Sequence, residues 1–565
     1  MKQPSSFLFP LAFLGLLASC STPVEPGVTS EQPTSLEEIT SESLGDPVYD
    51  GNPVSVSHVV NNGKLTYLEV DGSPFLMLGA QIRADAFRNC DHYKTSDLAP
   101  LFDKAAELGL TAIQIPVQWA DIEVGDGVFD YAYLDQIMSM ANERNLKLEL
   151  LWFGSNMCGD THSYSTPGYI LKDGRTYPKL DAKRTGEFWN YYGIQWYLEY
   201  DNPNLLQREG DAITKALDHV YEYDSYHGGK KPVIGIQIEN EPDIFPRWRL
   251  EQYGVLDRET GQRMTEEVAW NKVYTQIDEL GKAAKRSKYQ IYTRVNFAGV
   301  STGHGIYDGS AVKTVPSWAR HIYELEGIDA IGDDPYKSLI NDIQGISAML
   351  GEKLPGNLSI ISENDGKYGN TPSLMLTALA NNAFYEAYEL ATSPFYIEHQ
   401  TSSGVDQGIY QVQQDGSLTA RSHVQKTKDF IEIAKLGKAR IPLTEPKNFA
   451  AFNLESDSPK ENVAQTINTT KVSLTFSTDS GAIGYALDDG EGSILLAATE
   501  ASNVSFANAT IASIQELALD ENGNATPNKD LTVSSSLNLE KGKGYLVNYS
   551  NASTILSTTW EAIGK

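Results

Sequence analysis

Between Pro74 and Leu436 the hydrophobic period switches back and forth between short apolar runs and helical spacing, and this alternation limits the fold more than any other feature. Phe75–Ile82, Thr111–Val117, Leu146–Phe153 and Val233–Ile238 read as buried strands. Ile291–Phe297, Asp329–Gly332, Leu358–Ser362 and Pro394–His399 read as four more. Between them apolar residues recur at three- and four-residue spacing, as at Leu98, Leu101, Phe102, Ala105 and Leu108, and at Ile213, Ala216, Leu217 and Val220. Further helices are expected over Glu266–Lys288, Ser373–Leu390 and, closing the series, Val424–Leu436. Repeated β/α units of this kind predict an α/β fold, a parallel (β/α)8 TIM barrel. The competing open, doubly wound sheet would carry a glycine-rich phosphate turn after an early strand, and none is present.

The segments flanking the barrel have a different texture. Leu65–Val70 and the Asp71-Gly72 turn signal a strand pair at the barrel's entry. After Pro446, Ser, Thr and Asn rise and short alternating runs appear, such as Val472–Phe476 and Ser493–Ala497, which predicts a C-terminal β-sandwich over 446–565. The barrel region then spans 51–445. Residues 21–50 are rich in Ser, Thr, Pro and Glu and read as a flexible acidic tether. Residues 1–20 read as a signal peptide, with Lys2 before an apolar run, Phe7–Ala18, that is too short to span a bilayer. This run ends Leu17-Ala18-Ser19-Cys20, which resembles a bacterial lipobox, so Cys20 is the expected lipidation site. Ser21 after it points to an outer-membrane lipoprotein, facing the periplasm or the cell surface, that meets the membrane only through its lipid anchor. The formal net charge of −29 disfavours nucleic acid and anionic membranes as partners. The remaining cysteines, Cys90 and Cys158, fall in loops on one barrel face, and their pairing is left open by the sequence.

In a parallel barrel, reactive groups gather at the C-terminal ends of strands. Two carboxylates stand there: Glu241, after Ile236-Gln237-Ile238-Glu239-Asn240, and Glu363, after Ile360-Ile361-Ser362. Hydrolysis of a glycosidic bond with retention needs two carboxyl groups about 5–5.5 Å apart, one as acid/base and one as nucleophile. Glu239 alternates with Glu241, and if it faces inward its charge should raise the pKa of Glu241. Other candidates for sugar contact are Trp119 and Trp152, at the ends of strands two and three, Tyr336 after strand six, and Glu398 at the end of strand eight. Between strand three and the next helix lie about fifty irregular residues, from Gly154 to Asp201, dense in aromatics such as Phe188, Trp189, Tyr197 and Tyr200.

Asn240-Glu241 ending strand four and Glu363 ending strand seven resemble the signature of the retaining glycosidase clan on (β/α)8 barrels. The resemblance implies that Glu241 is the acid/base and Glu363 the nucleophile. It also implies that Asn240 contacts the sugar 2-hydroxyl and that Tyr336 hydrogen-bonds the nucleophile. Pro116-Val117-Gln118-Trp119, followed by Glu123, Gly127, Phe129 and Asp130, looks like the strand-two signature of β-galactosidases of glycoside hydrolase families 35 and 42. Residues 64–250 are most similar to the bacterial branch of family 35. After strand three the chain departs from the larger family 35 group, running through Trp152-Phe153-Gly154-Ser155-Asn156 in place of its galactose-contacting segment.

The expected function is therefore hydrolysis of terminal β-linked sugars, β-galactosides first, by double displacement, with a carbohydrate substrate and neither metal nor cofactor. Two alternatives remain: an endo-acting β-glycanase on the same barrel, and a non-catalytic glycan-binding surface lipoprotein.

Overall fold

The computed structural model describes residues 46–157, 162–182, 197–298, 315–399, 406–413, 415–454, 463–478, 481–520 and 523–550. Cys20, Cys158, the tether up to residue 45, and Phe188 and Trp189 lie outside them. Eight parallel strands close a barrel: β1 Leu78–Gln81, β2 Ala112–Gln118, β3 Lys147–Met157, β4 Val233–Asn240, β5 Tyr292–Phe297, β6 Ala330–Asp333, β7 Ser359–Asp365 and β8 Ala383–Tyr388. Each pairs with its neighbours in sequence, and β8 returns to β1 through Tyr385 opposite Leu78 and Ala387 opposite Ala80. A helix follows each strand: α1 Ala99–Leu108, α2 Ala132–Glu143, α3 Pro203–Tyr226, α4 Glu266–Lys285, α5 Ser317–Tyr323, α6 Ile340–Glu352, α7 Thr371–Ala380 and α8 Val424–Leu436. The expected (β/α)8 barrel is the fold observed.

Strands one to seven lie within a few residues of their expected positions, and strand eight does not. Ser373–Leu390 reads in sequence as one helix because its apolar residues are nearly continuous. The chain instead leaves α7 at Asn381-Asn382, where Asn382 takes a left-handed conformation (φ 54°), and enters β8. Asparagine tolerates that conformation because its short polar side chain hydrogen-bonds locally. Here its amide nitrogen donates to Thr66 O at 3.0 Å. Pro394–His399, the expected strand eight, is a short helix beyond the real one, with proline at its first position, where the missing N–H has no helical partner to lose.

Hydrophobic layers hold α1 to α8 against the outside of the barrel. The inside is polar at its lower end. Arg294 on β5 donates Nε and Nη2 to the two oxygens of Glu149 on β3 at 2.7 Å each, and Nη2 also to Glu386 on β8 at 2.9 Å. All three are buried, and Tyr292 donates its hydroxyl to Glu149. This accounts for Glu149, the charge that interrupts the apolar run of β3. Strands β6 and β7 approach closely at Gly332, where a Cβ would stand 2.0 Å from the Ser362 hydroxyl.

The antiparallel entry sheet, Ser57–Asn61 with Thr66–Val70 and Ser73–Pro74, turns at Asp71 and Gly72, both with positive φ as a tight hairpin requires. The C-terminal part is a sandwich. Its strands are β9 Phe449–Asn453, β10 Val463–Asn468, β11 Ser473–Thr478, β12 Ile483–Asp488, β13 Ser493–Ala498, β14 Ser502–Ala507, β15 Thr510–Leu519, β16 Ala525–Leu531, β17 Ser536–Leu539 and β18 Gly544–Ser550. One sheet runs β9-β12-β13-β18-β15-β16 and the other β10-β11-β14-β17, around a core of their own that includes Phe452, Phe476 and Val547. The larger sheet also packs on the barrel, and Tyr485 donates its hydroxyl to Ile433 O of α8 at 2.6 Å.

Removing one partner from a buried ion pair typically costs about 3–5 kcal/mol, since the remaining charge stays desolvated. Arg294→Ala should therefore lower stability by about that much, as read by urea denaturation. A loss below about 1 kcal/mol would mean that the barrel interior takes in water readily.

Candidate active site

Six of the eight strand ends described above, those of β1 and of β4 to β8, contribute to one cluster at the C-terminal mouth of the barrel. Glu363 lies on β7, where the pairing with β8 shifts register between Ile361 and Asn364. Its side chain is buried. Tyr336, after β6 in a left-handed conformation (φ 49°), donates its hydroxyl to Oε2, and Gln81 at the end of β1 donates Nε2 to Oε1 at 3.3 Å. Asn364 fixes the Tyr336 loop by accepting from Lys337 N at 2.6 Å and donating to Lys337 O at 2.9 Å. Burial raises the Glu363 pKa above the ordinary carboxylate value, and the Tyr336 hydrogen bond, the Arg83 charge and the Gln81 hydrogen bond pull the other way. Burial, with the Glu363 charge behind it, also pushes the Tyr336 phenol up, so it stays a donor.

Glu241 follows β4 directly, also with positive φ (47°), and is partly exposed. Its backbone N–H donates to Asn296 Oδ1 on β5 at 3.1 Å. Asn296 in turn donates Nδ2 to Asn240 Oδ1 at 3.0 Å and to Asp334 Oδ2 at 2.7 Å. Asn240 Oδ1 also accepts from Gln237 Nε2 at 3.3 Å. The Glu241 pKa is well above the usual range, through burial first, then the charge of Glu363, then that of Asp243. Among the described residues, no donor hydrogen-bonds its carboxyl. Asp334 is raised in the same way by burial and by the charges of Glu363 and Glu241.

Several sequence candidates take other places. Glu239 does not face Glu241. The β3–β4 pairing slips between Ile238 and Asn240, and Glu239, at φ 59°, turns into the helix layer. The neighbouring charges that raise Glu241 are Glu363 and Asp243 instead. Trp119 is fully buried, with its indole N–H donated to Glu123 at 3.0 Å, and Trp152 is buried, with its indole on Glu209 of α3 at 3.1 Å. On β3 the inward positions are those of Glu149, Leu151 and Phe153, so strand alternation sends Trp152 outward. Both tryptophans are core residues and not cleft walls. Glu398 is exposed on the short helix beyond β8. Cys90 is disulfide-bonded.

Besides Gln81 and Asn296, four charged or aromatic site residues went unnoticed in the sequence. Arg83, two residues past β1, is buried, forks onto Asp85 at 2.9 and 2.8 Å, and donates Nη1 to the Tyr388 hydroxyl at 2.7 Å. Tyr388, the last residue of β8, meets Tyr336 edge-on with ring centroids 5.6 Å apart. Glu389 follows, joined to Tyr388 by a cis peptide bond, and is buried with its pKa pushed up to about 8 by desolvation, against the opposing charge of Arg83. Misplacing strand eight hid Tyr388 and Glu389. For Arg83 and Asp85 the one signal was their place just past a strand end.

A family model described as a domain of unknown function, DUF4978, matches residues 273–459, which include Glu363 but not Glu241. No curated protein matches the chain. In shape the chain is similar to endo-glycoceramidase II from Rhodococcus sp., with 13% identity, 87% of this chain and 100% of that one covered, and a TM-score of 0.43. It is similar to an exo-β-1,4-mannosidase from Opitutaceae bacterium strain TAV5, with 13% identity, 68% and 63% covered, and a TM-score of 0.45. It is similar also to a β-galactosidase from the psychrophilic Marinomonas ef1, with 11% identity, 64% and 60% covered, and a TM-score of 0.40.

A hydrogen bond to a charged group contributes about 1.5–3 kcal/mol, or roughly one to two pK units. The Tyr336 bond favours ionised Glu363, so Tyr336→Phe should raise the Glu363 pKa by about that much. The carboxyl resonance in 13C-glutamate-labelled protein reports it, and an unchanged midpoint would show that the bond contributes nothing.

Proposed function

We propose that this chain is a retaining β-glycoside hydrolase that removes terminal β-linked sugars, with β-galactosides the first candidates. The observation that carries the reading is the unequal environment of the two carboxyls at the ends of β4 and β7. Glu363 is held by two donors and a nearby guanidinium, which favour the carboxylate and suit a nucleophile. Glu241 has no donor among the described residues and feels the charge of Glu363, which favours the protonated form and suits a general acid.

In the first step a Glu363 oxygen attacks the anomeric carbon. The glycosidic C–O bond breaks, and Glu241 gives its proton to the departing oxygen. Once Glu363 is esterified its charge is gone, the pKa of Glu241 falls, and Glu241 becomes the base that takes a proton from water as the water attacks the same carbon. The released sugar keeps its β-configuration. Asn240 is the proposed contact for the 2-hydroxyl, where Asn296 and Gln237 already engage its Oδ1. Arg83 and Glu389 stand beside the nucleophile as candidates for binding the glycone. We further propose that Cys20 carries a lipid anchor that holds the enzyme at the outer membrane.

Glu241→Ala should lose on the order of 10²–10⁴-fold in turnover of sugar-aglycone substrates and less on activated aryl glycosides, which need little help from an acid. Azide should restore Glu241→Ala with a β-glycosyl azide product and Glu363→Ala with an α-glycosyl azide. Activity of wild type on the aryl panel that survives both substitutions would overturn the assignment. Binding of oligosaccharides without turnover would favour the glycan-binding reading, and internal cleavage of polymers the endo-acting one. For the anchor, Cys20→Ala should move the protein from the membrane to the soluble fraction.

A further inference from the structure

Away from the catalytic mouth, two carboxyl groups meet in the helix layer with no cation bonded to either among the described residues. Glu209 on α3 and Glu239 on β4 are 1% and 0% exposed. Glu209 Oε1 accepts from Trp152 Nε1 at 3.1 Å and Ser155 N at 3.2 Å, and Oε2 meets the Ser155 hydroxyl at 2.6 Å. Glu239 Oε2 accepts from Gly154 N at 3.0 Å, and Oε1 from Asn156 N at 3.0 Å and Gln276 Nε2 at 3.1 Å. Gln276, on α4, also donates to the Ser155 hydroxyl at 2.8 Å. A Cβ on Gly154 would stand 1.7 Å from Glu209 Oε1 and 2.9 Å from Glu239 Oε1, so the glycine is what lets both carboxyls close on the backbone.

Among the described residues, the donors to the two carboxyls are all neutral. Strand β3 brings Trp152, Gly154, Ser155 and Asn156, and α4 brings Gln276. On α3 itself Arg208 turns to Glu123 and Asp126. Among the described residues no lysine, arginine or histidine hydrogen-bonds or ion-pairs with either carboxyl, and the charge that acts most on Glu239 is that of Glu209. Two adjacent buried carboxylates without a cation repel strongly, and sharing one proton removes the repulsion. Burial and the neighbouring carboxyl both act to keep a proton on Glu239.

We propose that Glu209 and Glu239 share a proton and act as one positioning unit for the catalytic carboxyl Glu241. The unit ties the backbone of Gly154, Ser155 and Asn156, at the end of β3, to the slipped end of β4, two residues before Glu241. Glu209 touches no reacting atom. It acts through Glu239, whose turn into the helix layer accompanies the register slip and the left-handed backbone that place Asn240 and Glu241 in the mouth. The catalytic half of this inference rests on the hydrolase reading above; the shared proton does not.

The sign of the pH dependence follows. The folded pair keeps a proton that two separate glutamates in the unfolded chain release above their ordinary pKa. Stability therefore falls as pH rises from that value toward the folded one. In Glu209→Gln an amide oxygen still serves Trp152 and Ser155 N, and an N–H replaces the shared proton, so this component of the slope should vanish. In Glu209→Ala the donors of β3 lose their acceptor.

The test is the thermal midpoint from pH 5 to 9 for wild type, Glu209→Gln and Glu209→Ala, with kcat and KM on an aryl β-glycoside over the same range. A flatter midpoint–pH curve for Glu209→Gln, with kcat within about threefold of wild type, is expected. Glu209→Ala, folded by circular dichroism, should lose tenfold or more in kcat with little change in KM. Parallel midpoint curves for wild type and Glu209→Gln would overturn the shared proton. A folded Glu209→Ala with wild-type kcat would overturn the positioning role. If no variant or wild type hydrolyses any glycoside while the Glu209→Gln curve flattens, the shared proton stands and it is the hydrolase reading that fails.

Discussion

Closing a parallel barrel forces eight strand ends into one small, poorly hydrated space, and the dominant constraint there is the cost of burying carboxyl groups. Each effectively costs several kcal/mol unless it is paired or protonated. The chain carries an excess of acidic residues, and many of them are internal: Glu149, Glu386, Glu239, Glu209, Glu363, Asp334 and Glu389 are all buried. Much of the arrangement around the barrel axis answers that cost, and it does so in three different ways at three depths.

In the barrel interior beneath the mouth the answer is a cation. Arg294 lies between Glu149 and Glu386 and joins β5 to β3 and β8 across the interior, where a planar guanidinium can serve two carboxylates at once. In the helix layer no cation among the described residues bonds Glu209 or Glu239, and backbone N–H groups with a glutamine, a serine and a tryptophan take its place. At the mouth the two answers are divided between two residues. Glu363 receives the donors, with the Arg83 charge beside them; among the described residues Glu241 receives no donor, and burial and the charges of Glu363 and Asp243 outweigh those of Arg247 and Arg83. The inequality is built into the backbone: Glu363 sits within the strand, in reach of β1 and the β6 loop, while Glu241 lies just past its strand in a left-handed conformation, where Asn296 takes its backbone N–H and, among the described residues, no donor reaches its carboxyl.

This pattern explains which parts of the molecule could be read from sequence. Strand and helix periods are local, so seven strands, the closing helix and the (β/α)8 class were legible. So were Glu241, Glu363 and Tyr336 as residues at strand ends, and the structure gathers all three at one mouth. Strand eight was not legible, because α7 and β8 are both apolar and only Asn381-Asn382 separates them. Side-chain direction was legible only where strand alternation is regular. The slip in β4 reverses Glu239, and Trp119 and Trp152 read as rim residues although alternation and the first turn after β2 send both into the core. Arg83 and Asp85 were overlooked because a charge next to a strand end is ambiguous until its partner, here Tyr388 on β8, is known.

The slip at Ile238–Asn240 also explains why a short segment can carry three acidic or amide residues with three separate surroundings. In a regular strand Glu239 and Glu241 would share a face, and Glu239 would add one more carboxyl to a cavity that already holds Glu241, Glu363 and Asp334. Turning Glu239 outward exchanges one of those charges for a contact with Glu209, where neutral donors are available. Asn240 then takes the inward place beside Glu241, with an amide that Asn296 and Gln237 can engage without adding charge. The strained backbone at Glu239 and Glu241, with φ of 59° and 47°, is thus the local cost of keeping Glu239 out of the mouth, and the hydrogen bonds of Gly154, Asn156 and Gln276 to Glu239 are what offset it.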